Sequence, residues 1–324
     1  MLRLFRQNGA GQYLVLLATT ALLWWRAFAN PMPAQAYDGF APLYAPLCRL
    51  FDTLPHLSVL VALLLVVAQG IMLCAMLNNH RMLPQNTLLP LLFYVTAMSL
   101  HPARQTLGPV LLTNLCTLLA LSQLMRSQNS TLPLPNLFNG ALFAALAILF
   151  YLPAATLLLP LLLAMVLYRL YRWRQWMTLL LGLLAPFLPL LVHYFMTDQL
   201  GAAFSLMGSD MTRLAWSVGT PSTLAMVADA LFALLLLAAL VALAAERGGL
   251  TNEMRLKRTL VWLVLLSNIA MMAEDDLLPM NTQLLALPFA LALTAYYLRL
   301  KRRSGWVDTA VATLVVVAAA DLTH

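Results

Sequence analysis

Ionisable side chains are scarce in this 324-residue chain, and those it has fall into a few groups able to do chemistry. Asp38 is the first acid after the first apolar run and sits in the stretch AYDGFAPLYAPLCRLFDTLPH, residues 36 to 56. A carboxylate in such a loop can act as general base on an acceptor hydroxyl, and an Asp-Gly pair equally forms a solvated turn. Glu274, Asp275 and Asp276 are consecutive, so their oxygens either hold a divalent cation or face water. Arg26, His56, His101, Arg104, His193 and Asp229 lie at or just inside the ends of apolar runs, where a polar group is costly and becomes a functional candidate. The alternative for these last residues is interfacial anchoring, with arginine reaching to headgroups and the neighbouring Trp24, Trp25 and Tyr194 forming an aromatic belt.

The elements that position these groups follow from composition. Of the residues 62% are hydrophobic and 10% charged, and the mean hydropathy is +0.83, against about 25% charged in a soluble domain. This excludes a water-soluble globular protein, a disordered chain and a soluble nucleic-acid binder. A membrane-crossing helix needs roughly 20 apolar residues, and the apolar stretches predict an all-α polytopic bundle of about eleven spans forming one integral membrane domain. Their expected positions are 12–29, 57–77, 88–100, 107–124, 136–151, 154–168, 176–196, 223–245, 259–273, 284–298 and 306–320. The run from Leu137 to Tyr168 is too long for one span and is divided at Pro153, because the residue before a proline is disfavoured in a helix. Residues 41–51 have the amphipathic pattern of a helix lying along a membrane surface.

Charge gives the orientation. With the N-terminus inside, fifteen of the nineteen Lys and Arg residues fall on inner segments, including the clusters at 169–174, 255–258 and 299–303. Positive charge is retained on the cytoplasmic side, so the expected arrangement is a bacterial inner-membrane protein with its N-terminus in the cytoplasm and its C-terminus in the periplasm. Eight acids, Asp38, Asp210 and the 274–276 triplet among them, then lie outside, as do Arg104 and Arg213. The polar residues noted above outline an outward-facing rim over an apolar bundle.

Other features have structural readings. Arg3, Arg6 and the Ala27-Phe28-Ala29 triplet resemble parts of a signal peptide, but Trp24, Trp25 and Arg26 crowd the cleavage position, so the first run is read as a retained helix. Cys48, Cys74 and Cys116 lack metal-ligand or CxxC spacing and are packing residues. The stretch YRLYRWRQW, 168 to 176, would suggest nucleic-acid contact in a soluble protein; here it is a basic inner loop facing anionic headgroups, and no nucleic-acid partner is expected. Walker, GxGxxG, GxSxG and HExxH motifs are missing, so no cofactor is evident apart from the divalent cation that the acidic triplet suggests. Protein partners are not encoded in any recognisable segment.

Residues 136 to 200 carry a resemblance. They contain NLFN, LFYLPA, the connector RWRQW and HYFMTD in that order. The block resembles an uncharacterised domain-of-unknown-function family of bacterial inner-membrane proteins, which implies no particular reaction. From Gly140 to Tyr194 it also resembles the middle of GT-C glycosyltransferases, which take a sugar from a polyprenyl-phosphate carrier. That resemblance implies a catalytic acid in the first outer loop, for which Asp38 is the match. It also implies phosphate-binding groups, for which Arg26, His101, Arg104 and Arg213 are candidates, with His193 and Asp229 as further substrate-binding residues. The chain departs from the GT-C pattern at Tyr151 and Leu152, where a lysine is common, and in having Asp38 alone rather than adjacent acids. The leading expectation is therefore a GT-C-like protein handling a polyprenyl-phosphate-linked sugar in envelope biogenesis. A non-catalytic assembly subunit and a lipid or solute transporter are the alternatives.

Overall fold

The computed structural model describes residues 11–83, 85–101, 105–128, 133–212, 223–245, 252–272, 282–300 and 305–321. All regular structure among them is helical. In chain order the helices are α1 (Gly11–Ala29), α2 (Tyr44–Asp52), α3 (Pro55–Asn79), α4 (Leu89–Met98), α5 (Pro109–Ser127), α6 (Leu134–Phe150), α7 (Leu158–Leu167), α8 (Trp173–Leu184), α9 (Phe187–Met196), α10 (Leu200–Thr212), α11 (Thr223–Ala245), α12 (Asn252–Met272), α13 (Ala286–Arg299) and α14 (Gly305–Asp321). Proline marks several starts: α3, α4, α5 and α6 each have one in the first two positions. There the missing N–H has no intrahelical partner to lose, and the fixed φ suits the first turn.

Four of these helical stretches are long and apolar enough to cross a membrane: Pro55–Asn79, Pro109–Ser127, Trp173–Met196 and Thr223–Ala245. Shorter apolar helices accompany them at 89–98, 134–150, 152–167 and 305–320. The protein is thus an all-helical membrane protein. Only 11% of the apolar window in Trp173–Met196 is buried, and its exposed Leu181, Leu188, Val192 and Phe195 are side chains for lipid to cover.

Four local features bear on the sequence reading. The break near Pro153 is present: Tyr151 is extended (φ −157°, ψ 108°) and Leu152–Leu157 forms a 3₁₀ turn leading into α7. The run expected as one span at 176–196 is one apolar stretch, Trp173–Met196, kinked where α8 and α9 meet at Ala185 and Pro186, because proline lacks the N–H that would continue α8 unbroken. The segment after it, expected as a loop to residue 222, contains α10. Ala203, Met207 and Asp210 lie three and four residues apart on it; the first two pack on the bundle while Phe204 and Leu206 are exposed. The amphipathic helix expected at 41–51 is α2, shifted by a few residues.

Cross-chain contacts sort the helix ends. Gln35 N donates to Leu107 O at 2.9 Å, Leu107 N to Ser58 Oγ at 3.1 Å, and Leu43 N to Leu149 O at 3.3 Å. The first loop, the start of α3, the approach to α5 and the end of α6 therefore share one end of the bundle. At the opposite end Gln128 Nε2 donates to Glu253 O at 3.5 Å and Tyr297 Oη to Asp308 Oδ1 at 3.4 Å, joining the end of α5 to the start of α12 and the end of α13 to the start of α14.

At the centre lie α4 and α13, packed on each other. All ten residues of α4 are buried, and at 1.5 Å per residue it covers about 15 Å, half of a bilayer core. Its path continues as irregular backbone through Ser99, Leu100 and His101, and again from Gln105 to Gly108, with all of these described residues buried. Irregular backbone at such depth is tolerated because protein, not lipid, surrounds it.

A close crossing fixes α8 against α6. A Cβ on Gly182 would stand 2.5 Å from the carbonyl oxygen of Phe138 and 3.0 Å from the Ala141 Cβ. Gly182→Ala forces these backbones apart and is expected to cost about 1–3 kcal/mol, read as a lower melting temperature in detergent. An unchanged melting temperature would show that α6 and α8 separate freely.

Candidate functional site

His101 and Asp229 come together. His101 Nε2 lies 2.8 Å from Asp229 Oδ1, across 128 residues of sequence. The histidine side chain is 5% exposed and the aspartate 31%, so the pair is buried on one side and open on the other. An ionised carboxylate only accepts, which places the proton of this contact on Nε2. The sequence singles out both residues as costly polar groups near span ends, without linking them.

Local structure explains why His101 is held. It follows the end of α4 in the irregular segment, and that segment is tied on several sides. Trp24 Nε1 donates to Ser99 Oγ at 2.8 Å, and Ser99 Oγ donates on to Val95 O at 2.7 Å. Gln105, 1% exposed, donates through Nε2 to Leu23 O at 2.9 Å, and its Oε1 has no partner among the described residues. Tyr44 Oη donates to Leu107 O at 3.0 Å and to Gln35 O at 2.5 Å. Asp229 sits in the second turn of α11, whose neighbour Ala228 is fully buried. The backbone on either side of His101 is therefore anchored by α1, α3 and the first loop, and Asp229 is carried by α11. A histidine held by a carboxylate in this way is a candidate for general acid–base chemistry.

Asp38 is not part of this pair. Its side chain is exposed, with no hydrogen bond or ion pair among the described residues. The loop around it is nevertheless fixed, by an acid that the sequence marks only as one of the outer carboxylates. Asp210 of α10 accepts from Phe40 N at 2.8 Å and from Tyr37 Oη at 3.2 Å, both at Oδ2. Gly39 lies under this clamp: a Cβ there would be 2.4 Å from Asp210 Oδ2 and 2.5 Å from the Tyr37 ring. Tyr37 packs on Tyr151 with centroids 5.6 Å apart, and Phe40 on Tyr194 at 6.5 Å. Asp38 is thus displayed on a loop held over the α6–α7 bend. The signal for Asp210 was the Ala203, Met207, Asp210 spacing, obscured because the stretch reads as a loop.

The remaining candidates stand apart. Arg26 is half-buried in the last turn of α1, where its charge complements the helix C-terminus. His193 is exposed, its ring 5.9 Å from that of Tyr194. Arg104, Arg213, Glu274, Asp275 and Asp276 lie outside the described residues, and the metal reading of the triplet with them. Among the described residues no group of three metal-ligating side chains gathers.

Further buried polar groups are structural. Gln69 receives the hydroxyl of Tyr94 and donates to Leu111 O at 3.0 Å; Asn114 Nδ2 donates to Gln283 O at 3.0 Å and Asn268 Nδ2 to Leu284 O at 2.7 Å. Each satisfies a backbone carbonyl inside the bundle.

At the other end, His80 caps α3 beside a cationic cluster. Burial, then the charges of Lys257 and Arg126, push its pKa down from 6.5 to about 4, with Glu253 opposing. The unfolded chain therefore binds the proton more readily. His80 supports the fold fully above about pH 6.5, and that support is lost as pH falls towards 4. His80→Gln is expected to flatten the fall in melting temperature between pH 7 and pH 5; an unaltered slope would remove His80 as its source.

No family model, curated protein or solved structure matches this chain.

Proposed function

We propose that this chain is a multi-pass protein of the bacterial inner membrane that handles a polyprenyl-phosphate-linked sugar in envelope biogenesis, on a GT-C-like scaffold of about eleven crossings. Its N-terminus is cytoplasmic and the end of the bundle carrying the first loop is periplasmic. The assignment of sides draws on the sequence, where Lys and Arg concentrate on the segments at the His80 end. The crossing number draws on the apolar runs of the sequence and on the alternation of its basic and acidic loops.

The observation that carries the functional reading is the His101–Asp229 pair, 2.8 Å apart at the periplasmic end of an apolar bundle. His101, oriented by Asp229, faces the carrier phosphate as a hydrogen-bonding and acid–base group. Asp38, on its clamped loop, takes the proton of the acceptor hydroxyl. Arg26, Arg104 and Arg213 add charge for the phosphate, and Glu274, Asp275 and Asp276 are the groups that would hold a divalent cation.

The exposure of Asp38 and its separation from the pair favour a second reading, a non-catalytic membrane subunit of an envelope assembly. Proteoliposomes containing the purified protein and a labelled polyprenyl-phosphate sugar distinguish the two. Transfer by the wild type that is abolished in a folded, inserted Asp38→Asn variant supports the enzyme. Transfer that survives Asp38→Asn removes Asp38 as the base. No transfer by wild type, together with co-purification of a stoichiometric partner, supports the subunit.

A further inference from the structure

The exposed carboxylate of Asp38 has no partner among the described residues, so its place is set by the backbone that carries it. That backbone is pinned at both ends. Gln35 N donates to Leu107 O and Leu43 N to Leu149 O, which leaves the stretch from Ala36 to Pro42 to be fixed from outside. One oxygen atom fixes its middle: Asp210 Oδ2 accepts from Tyr37 Oη at 3.2 Å and from Phe40 N at 2.8 Å, on either side of Asp38. Gly39 makes room for this, because a Cβ there would collide with the same oxygen and with the Tyr37 ring. A carboxylate oxygen accepts more strongly than a neutral one, and so suits a task in which two donors share it.

Helix α10 is arranged to bring that oxygen to the loop. Gln199 N donates to Tyr194 O at 3.0 Å and Asp198 N to Phe195 O at 3.3 Å, around a left-handed residue at Asp198 (φ 52°). After this turn, Ala203 and Met207 pack on the apolar cluster that contains Tyr151, Leu152 and Leu157. Asp210 follows three residues later and is the one charged residue in α10.

We infer that Asp210 is the positioning residue for Asp38. Through Tyr37 and Phe40 it holds the Asp38 carboxylate where an acceptor hydroxyl can meet it, and takes no proton itself. The inference rests on the transferase reading, in which Asp38 is the base. A reacting group displaced by about 1 Å can cost about 10²-fold in rate, and a loop released at its middle has several backbone conformations to choose from.

Hydrogen exchange over residues 36–42 and transfer from a labelled polyprenyl-phosphate sugar, both on the full chain in proteoliposomes, test the inference. Asp210→Leu should speed exchange in the loop and lower kcat about 10²-fold, with the KM for the donor within about two-fold of wild type. Asp210→Asn keeps an oxygen that accepts and should hold kcat within about three-fold. Gly39→Ala leaves Asp210 in the chain but pushes it off the loop, and should fall about as far as Asp210→Leu. Tyr37→Phe removes one of the two bonds, keeps the ring on Tyr151, and should lower kcat about five-fold; it carries the test if Asp210→Leu fails to fold. Asp198→Asn, at an exposed acid of the preceding turn, should transfer normally. With an active wild type, an unchanged kcat in Asp210→Leu or in Tyr37→Phe overturns the inference. So does Asp210→Asn falling as far as Asp210→Leu, or a loss confined to KM. No transfer by wild type removes the transferase reading, and the positioning role with it.

Discussion

Replacing His101 by Gln or Asp229 by Asn is expected to lower transfer from a polyprenyl-phosphate sugar by about 10²–10⁴-fold, the range for removing a positioned acid or base. The two variants should fall together. Nε2 of His101 and Oδ1 of Asp229 are 2.8 Å apart, and the imidazole is almost fully enclosed, so the carboxylate sets its orientation. A double variant should therefore be little worse than either single one, as is usual for residues that act as a unit. Asp52→Asn, an exposed acid at the end of α2, is the control and should transfer normally. Independent losses that multiply in the double variant would show that the two residues serve separate tasks.

A stability effect as large as that of Gly182→Ala is expected at Gln69. Its side chain lies within α3 at 0% exposure, accepts from the Tyr94 hydroxyl and donates to Leu111 O at 3.0 Å. Gln69→Leu leaves the buried phenol without an acceptor, at about 1–3 kcal/mol. The Leu111 carbonyl suffers less, because a helical residue keeps its intrahelical bond. Tyr94→Phe in the same chain removes the stranded hydroxyl, so the double variant should recover most of the loss. Unfolding in detergent, followed for both single variants and the double, measures this coupling directly. Additive costs would mean that the hydroxyl finds another partner.

How far the chain could be read in advance differs between its parts. The helical class, the amphipathic α2 and the break before α7 followed from hydropathy and Pro153, which are local signals. The apolar stretch expected at 176–196 is present as well, and the kink that Pro186 puts in it is an equally local signal. Helix α10 was missed because a short helix with small and polar residues shows little periodicity until the surface it covers is known. At the site, His101 and Asp229 were visible one at a time, as ionisable residues out of place in an apolar chain. Their meeting was not, since it depends on how α4 ends and on where α11 packs, which no spacing in the sequence records. The same holds for Asp210, whose partners Tyr37 and Phe40 lie some 170 residues earlier.

The wholly enclosed α4 has a consequence for how the protein is made. Ten residues are too few to be retained in the bilayer as an independent span, and the irregular backbone that follows cannot face lipid. Its enclosure is completed by α13, which begins only at Ala286, far later in the sequence. During translation α4 must therefore wait, packed on α3 and α1, until α13 arrives. A chain truncated before Ala286 should insert yet remain a substrate for membrane quality-control proteolysis.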